Sequence, residues 1–215
     1  MPERWTFKSS KVASHFESHV REQLPWYDLA TKAVEHIGRH YIPKGGLVYD
    51  VGASTGNIGR ILAPTILARK ATLIGLEESA EMAKLYRAPG EIIVCDALAH
   101  EFKMFDFAVL FLVLMFMPIC DRQAFVLKLR SLIKPGGCIV IVDKINTPPG
   151  YVGTCMRRLA MRWKLDSGTA AEDIVGKELS LAGYQRPLNP QWLEPIARQW
   201  FQFGEFAGWI IERPE

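Results

Sequence analysis

The sequence predicts an α/β fold: a seven-stranded, mostly parallel sheet with helices on both faces, an N-terminal helical cap and an antiparallel C-terminal hairpin. Three observations predict it. From residue 47 onward short apolar runs alternate with stretches of helical periodicity, the order that builds a parallel sheet from crossover units. The run Phe105–Leu112 is apolar toward both faces apart from Asp106, as a central parallel strand must be. Aromatic and β-branched residues flank Gly204 near the end of the sequence, the pattern of two antiparallel strands joined by a tight turn.

The elements follow in order. Residues 12–42 read as helix, with apolar residues at Val12, Phe16, Val20 and Leu24 and again at Leu29, Ala33, Val34 and Ile37. Pro25 divides the two runs, because proline removes a helical donor and clashes with the preceding turn. Lys44-Gly45-Gly46 turns the chain into a first strand, Leu47–Val51, and Ile58–Leu67 is the helix after it. Ala71–Leu76 is the second strand, and Ser79–Tyr86 a helix with Ser79 as its cap. Glu91–Cys95 and Phe105–Leu112 are the third and fourth strands. Arg122–Ile133 is helical, Lys134-Pro135-Gly136-Gly137 turns, and Cys138–Val142 is the fifth strand. The pattern then breaks. Pro148-Pro149-Gly150 loops into a basic amphipathic helix near Cys155–Leu165, and a second helix near Ala170–Ala182 stops at Gly183. Arg198–Phe203 and Phe206–Ile211 form a hairpin at the sheet edge. The expected division is a cap over 1–43 and a ligand-binding domain over 44–215, one structural domain overall.

Composition narrows the class. A chain of 215 residues, 49% hydrophobic and 23% charged, is an ordinary globular protein that buries enough surface to need no staple. A net charge of +3 is too small to argue for nucleic acid. Cys95, Cys120, Cys138 and Cys155 are widely spaced with no CxxC, so neither zinc nor a disulfide framework is expected, and the reading is a reducing cytoplasm. The polar N-terminus reads as no signal peptide. The longest apolar stretch, Phe105 to Cys120, is interrupted by Asp106 and Pro118 and is too short to span a membrane.

The chemistry concentrates where the first strand ends. Asp50-Val51-Gly52-Ala53-Ser54-Thr55-Gly56 passes from apolar strand to glycine turn to helix N-terminus. Gly52 and Gly56 permit positive φ and close approach of a ligand to the backbone, and the helix start offers unpaired N–H groups. Asp50 is positioned to hold that turn through backbone N–H groups. Glu77 ends the second strand, where a carboxylate accepts from two ribose hydroxyls, and Asp96 ends the third, where one accepts from an adenine amino group. Two ligand classes fit a nucleoside crevice of this kind. A dinucleotide site wants glycine where Ser54 stands, so that a pyrophosphate approaches closely. S-adenosylmethionine carries no phosphate and tolerates Ser54.

These motifs resemble a class I S-adenosylmethionine-dependent methyltransferase, a Rossmann-like fold, over Val48–Lys144. They are D-x-G-x-S-x-G at 50–56, Ile74-Gly75-Leu76-Glu77, Cys95-Asp96-Ala97, and Leu132-Ile133-Lys134-Pro135-Gly136-Gly137. More narrowly the chain resembles the carboxy-S-adenosylmethionine synthase branch, through Leu24-Pro25-Trp26-Tyr27, Val48-Tyr49-Asp50 and Trp200-Phe201-Gln202-Phe203-Gly204. The resemblance implies that Tyr27 lies over the cofactor, that Gly52, Ala53 and Ser54 line its amino-acid end, that Glu77 and Glu78 hold the ribose, and that Asp96 and Ala97 hold the adenine. It also implies a homodimer. Phe111 and Glu178 stand where that branch is expected to carry an asparagine and an arginine. A glutamate at the second place repels a carboxylated sulfonium, so plain methyl transfer is the leading expectation. Carboxy-S-adenosylmethionine synthesis, with Arg157, Arg158 or Arg198 as substitute cation, and a non-catalytic S-adenosylmethionine-binding module are the alternatives. The acceptor is expected to be a small molecule or a nucleic-acid base, with no membrane and no metal involved.

Other signals are weaker. Tyr27 and Phe111 are candidates for an aromatic wall beside the sulfonium, with core packing the plainer role for Phe111. His15/His19 and His36/His40 lack a third ligand and read as helix surface. Arg157, Arg158, Arg162 and Lys164 read as a solvated basic face, with an acidic substrate or an RNA backbone as the functional alternative. Trp192, Trp200 and Trp209 read as packing. No general base is assigned.

Overall fold

The computed structural model describes Glu17, residues 20–146 and residues 149–214. The elements run α1 (Tyr27–Tyr41), β1 (Leu47–Val51), α2 (Asn57–Arg69), β2 (Thr72–Glu77), α3 (Ala80–Ala83), β3 (Glu91–Val94), β4 (Phe105–Phe111), α4 (Ile119–Ser131), β5 (Ile133–Lys144), α5 (Tyr151–Asp166), α6 (Ala171–Ser180), β6 (Arg198–Phe203) and β7 (Phe206–Glu212). The seven strands form one sheet in the order β3-β2-β1-β4-β5-β7-β6. β1–β5 are mutually parallel, and β7 runs antiparallel to both of its neighbours, β5 and β6. The expected fold class is therefore the observed one. The C-terminal hairpin differs in one detail: only β6 lies at the edge, and β7 is inserted between β6 and β5.

Alternation along the central strands divides the core in two. Val48, Phe107, Val109, Val140 and Val142 face α1 and α2, packing on Val34, Leu62 and Ile66. Tyr49, Val51, Ala108, Leu110, Ile139 and Ile141 face the other way, packing on Phe125 and Leu129 of α4 and on Trp209. β4 is buried along its whole length, as a both-sided apolar run requires. Its one acid, Asp106, is paired: it accepts from Leu47 N–H at 2.7 Å and from the Lys134 ammonium at 2.8 Å. That carboxylate ties together the starts of β1, β4 and β5, which satisfies a charge that burial alone makes costly.

Boundaries depart from expectation where turn chemistry is absorbed into other structure. Lys134–Gly137 is not a turn before β5 but an irregularity within it. Ile133 pairs with Phe105 and Cys138 with Phe107, so five steps along β5 oppose two along β4. Gly136, at φ +75, bulges outward and donates to Arg213 O. The expected helix over Ser79–Tyr86 shortens to Ala80–Ala83, with Ser79 Oγ accepting from Met82 N–H as a cap. Pro25 does break the helical run: residues 20–23 are helical, Pro25–Trp26 turn, and α1 starts at Tyr27. Val12, His15, Phe16 and His19 lie outside the described residues. Among the described residues no helix is long and apolar enough to cross a membrane.

Candidate active-site cavity

β1 lies between β2 and β4, so the crossovers leave it in opposite directions and a crevice opens at its carboxyl end. A cavity of about 490 Å³ occupies that crevice. Its floor is the glycine turn. Gly52 (φ +72), Ser54 (φ +50) and Gly56 (φ +92) all take left-handed conformations. Gly52 and Ala53 both donate to Leu76 O, at 2.8 and 2.9 Å, which pins the turn against β2. A Cβ on Gly52 would stand 2.5 Å from Val113 Cγ2, so the close approach of two cavity walls requires glycine there.

Glu77 is the polar centre of the floor. One carboxylate oxygen accepts from Ser54 N–H at 2.8 Å and the other from Ser79 N–H at 2.8 Å. An ionised carboxylate offers about four acceptor directions, so Glu77 keeps acceptor capacity for a ligand. Burial raises the Glu77 pKa above the usual carboxylate range, against the backbone N–H groups of Ser79, Ser54 and Glu78 that favour its charged form. Asp96 is exposed at the rim and accepts from Leu98 N–H at 2.9 Å. Glu78 and Ala97 line the same end.

Of the residues expected at the cofactor, Tyr27, Gly52, Ala53, Ser54, Glu77, Glu78, Asp96, Ala97 and Phe111 line this one cavity. Asp50 and Gly56 stand behind its wall. Asp50 is almost fully buried and accepts from Gly59 N–H at 3.2 Å, so it braces the first turn of α2 rather than the glycine turn itself. Burial lifts its pKa to about 7, with the Glu77 charge adding to the push against the Gly59 bond. Gly56 leads into α2, and a Cβ there would meet the Tyr86 ring at 3.0 Å.

Tyr27 and Phe111 pack edge to face at 5.3 Å, and Trp26 packs at a tilt on Phe206 at 4.7 Å. Phe111 is thus both core and cavity wall. The Tyr27 hydroxyl accepts from Asn57 Nδ2 at 3.0 Å, and burial raises its pKa to about 12. The segment before α1 closes over this end. Glu17 accepts from Thr55 Oγ1 at 2.6 Å and pairs with Arg60, while Arg21 donates to Asn57 Oδ1 at 3.0 Å. Gln23 reaches across the cavity mouth to Thr169 Oγ1 at 2.7 Å, linking this strap to the loop between α5 and α6.

The opposite wall is residues 112–118, and a residue the sequence did not announce holds it in place. Asp143, fully buried at the end of β5, accepts from the N–H groups of Val113 (3.1 Å) and Leu114 (2.7 Å). Those bonds follow Leu112, whose φ is +61. Burial pushes Asp143 up to about 7 despite the backbone donors. The signal was available: an acid terminating an otherwise apolar strand, Ile139-Val140-Ile141-Val142-Asp143.

The far end is built from α5, α6 and the β6–β7 turn. Met156, Ala160, Trp163 and Lys164 recur at helical spacing along the inner face of α5. The basic cluster on α5 therefore splits: Arg157, Arg158 and Arg162 are exposed, as a solvated face, but Lys164 turns inward. Lys164 pairs with Glu178 at 2.7 Å. Arg162 pairs with Asp166 at 2.9 Å. The expectation that Glu178 presents a bare repelling charge is corrected by that pairing. The His36 and His40 rings meet at 4.9 Å on exposed helix surface, and no group of three metal-binding side chains occurs among the described residues. Trp209 is core, and Trp192 and Trp200 pack at the sheet margin.

Comparison with known proteins agrees with this geometry. Residues 48–137 match the family described as "Methyltransferase domain". Over 97% of the chain and 97% of the relative, the sequence is 29% identical to a carboxy-S-adenosyl-L-methionine synthase of Staphylococcus epidermidis. A magnesium protoporphyrin IX methyltransferase from Synechocystis, solved with bound SAH, superposes with TM-score 0.58 at 15% identity over 89% of this chain and 84% of that one. An O-methyltransferase family protein from Burkholderia thailandensis superposes with TM-score 0.62 at 12% identity, and this chain spans 61% of its length. The structural likenesses establish the fold. The domain match agrees with the methyltransferase class expected from the motifs.

Proposed function

We propose that this chain transfers a methyl group from S-adenosylmethionine to a small-molecule acceptor that occupies the α5–α6 end of the cavity. Glu77 carries the reading. Backbone bonds orient its carboxylate and leave acceptor capacity for a ligand, beside a glycine turn that brings the main chain close. Glu77 and Glu78 hold the ribose hydroxyls, Asp96 and Ala97 the adenine, and Gly52, Ala53 and Ser54 the amino-acid end. Tyr27 and Phe111 flank the sulfur, where an aromatic face favours positive charge by about 0.5–2 kcal/mol. Asp50 and Gly56 shape the floor from behind.

The cofactor supplies a methyl already activated on a cationic sulfur, so the protein's work is alignment and exclusion of water. Glu17, residues 20–23 and the α5–α6 helices enclose the reacting centre. The four cysteines are unpaired, which fits a reducing cytoplasm. The resemblance implies a homodimer, which sedimentation of the purified protein would test. Calorimetric titration with S-adenosylhomocysteine tests the site, and acceptor-dependent consumption of S-adenosylmethionine tests turnover; binding without any consumption would leave a non-catalytic module.

One observation favours a second reading, carboxy-S-adenosylmethionine synthesis. The charge of Glu178, which argued against a carboxylated ligand, is met by Lys164, with Lys144 and Lys177 nearby. Arg157 and Arg158 point to solvent and Arg198 is exposed on β6, so lysines rather than those arginines would hold the extra carboxylate. Mass spectrometry of the ligand that co-purifies with the native protein separates the two readings.

A further inference from the structure

The cavity is electrically divided. Its adenosyl end is lined by acids, Glu17, Glu77, Glu78 and Asp96. Its far end is lined by Lys144 from the end of β5, Lys164 from α5 and Lys177 from α6, with Glu178 and Glu205 among them. These come from three separate elements and converge on one space. Lys144 bonds Gln185 Oε1 at 3.1 Å and stands 3.7 Å from Glu205. Lys164 bonds Glu178 at 2.7 Å. The three ammonium groups outnumber the two carboxylates at that end.

Glu178 sits in the field of all three lysines. Burial works to raise its pKa, yet the Lys164 hydrogen bond and the charges of Lys164, Lys144 and Lys177 together hold it below the ordinary value. Lys177 shows the reverse side of the same crowding. Burial, then repulsion from Lys164, lowers it to about 8 against the attraction of Glu178, and Lys144 adds to the repulsion. Cations gathered this closely repel one another and need an anion between them. Glu178 supplies it, from a side chain that remains 44% exposed. Its carboxylate therefore has a route outward to water.

We propose that Lys144, Lys164 and Lys177 form an anion-binding site for the acceptor, and that Glu178 is an internal counter-ion which the acceptor's own carboxylate displaces. This rests on the proposed methyl transfer and names the acceptor class: a small molecule bearing a carboxylate. The displacement costs little, because one carboxylate replaces another on the same lysines while Glu178 gains hydration. It gains specificity, because a neutral acceptor leaves the three lysines facing only Glu178 and Glu205.

The probes are benzoate, inorganic phosphate and neutral benzamide, titrated calorimetrically into protein saturated with S-adenosylhomocysteine. Benzoate is expected to bind at least about fivefold more tightly than benzamide, through charge-assisted bonds. Glu178→Gln removes the competing charge and should tighten benzoate further by about fivefold or more, leaving affinity for S-adenosylhomocysteine unchanged. Lys164→Met should abolish the benzoate preference; Lys177→Met, on a different helix, should do the same and guards against a folding failure in the first variant. Tighter binding of phosphate than of benzoate would overturn the carboxylate assignment. Equal binding of benzoate and benzamide, or a Glu178→Gln variant that binds benzoate no better, would overturn the site. Failure of S-adenosylhomocysteine to bind at all would instead sink the methyl-transfer reading, so the two failures are distinct.

Discussion

Replacing Glu77 by alanine removes two things that the structure keeps separate. The first is a brace: Ser54 N–H and Ser79 N–H each lose an acceptor at 2.8 Å. At a cavity edge, where water substitutes, that loss costs the fold about 1–3 kcal/mol. The second is the acceptor capacity left for the proposed ribose. Hydrogen bonds to a charged acceptor contribute about 1.5–3 kcal/mol, and each 1.4 kcal/mol is tenfold in affinity, so binding should weaken by about 10–100-fold. Glu77→Gln should not rescue it. An amide offers one accepting oxygen, and its NH2 would face a backbone donor. Calorimetry with S-adenosylhomocysteine reads the affinity, and thermal unfolding without ligand reads the brace. A lowered melting temperature with affinity unchanged within about twofold would refute the ribose assignment and leave Glu77 as a structural acid only.

Three further outcomes are expected. Gly52→Val should abolish cofactor binding while far-UV circular dichroism stays near native; the left-handed conformation costs a non-glycine residue about 1–2 kcal/mol, and the new Cβ would stand 2.5 Å from Val113. A variant that binds normally would move the ligand away from the turn. Glu17→Ala, which releases both Thr55 and Arg60, should speed cofactor release in stopped-flow displacement, and an unchanged off-rate would mean the strap does not gate the site. Burial pushes the Asp143 carboxyl from its ordinary 3.8 to about 7. The folded chain thus holds a proton there that the unfolded chain has lost, so this residue's contribution to stability falls as pH rises from about 4 to about 7 and is flat above. Asp143→Asn should flatten that part of the slope in denaturant titrations across a pH series, with Asp50, shifted in the same direction, leaving the remainder. Parallel slopes for wild type and variant would contradict the buried charge.

The floor of the cavity was legible in the sequence because each of its parts is local. Gly52 and Glu77 sit at the ends of apolar runs, and parallel pairing alone brings consecutive strand ends together. The far end was not legible, because Lys144, Lys164 and Lys177 are joined only by the packing of α5 and α6 over the end of β5. Periodicity locates a helix but not its partner, so Lys164 read as one more solvated base beside Arg157, Arg158 and Arg162. Glu178 was misjudged for the same reason: a residue's sign is visible in the sequence, but its counter-ions are not. Lys134–Gly137 failed differently. Proline and two glycines mark a departure from regular strand geometry, and whether the chain turns away or bulges within the sheet depends on β4 beside it.

The placement of β7 bears on how the chain is made. β6 emerges from the ribosome first but has no place in the sheet until β7 arrives, since it pairs with nothing else there. Until residues 206–212 are free, β5 offers an open row of N–H and C=O groups along seven register positions from Cys138 to Lys144. An exposed apolar edge of that kind templates pairing with neighbouring nascent chains. Truncation or tagging that delays β7 should therefore produce insoluble protein before it produces inactive protein.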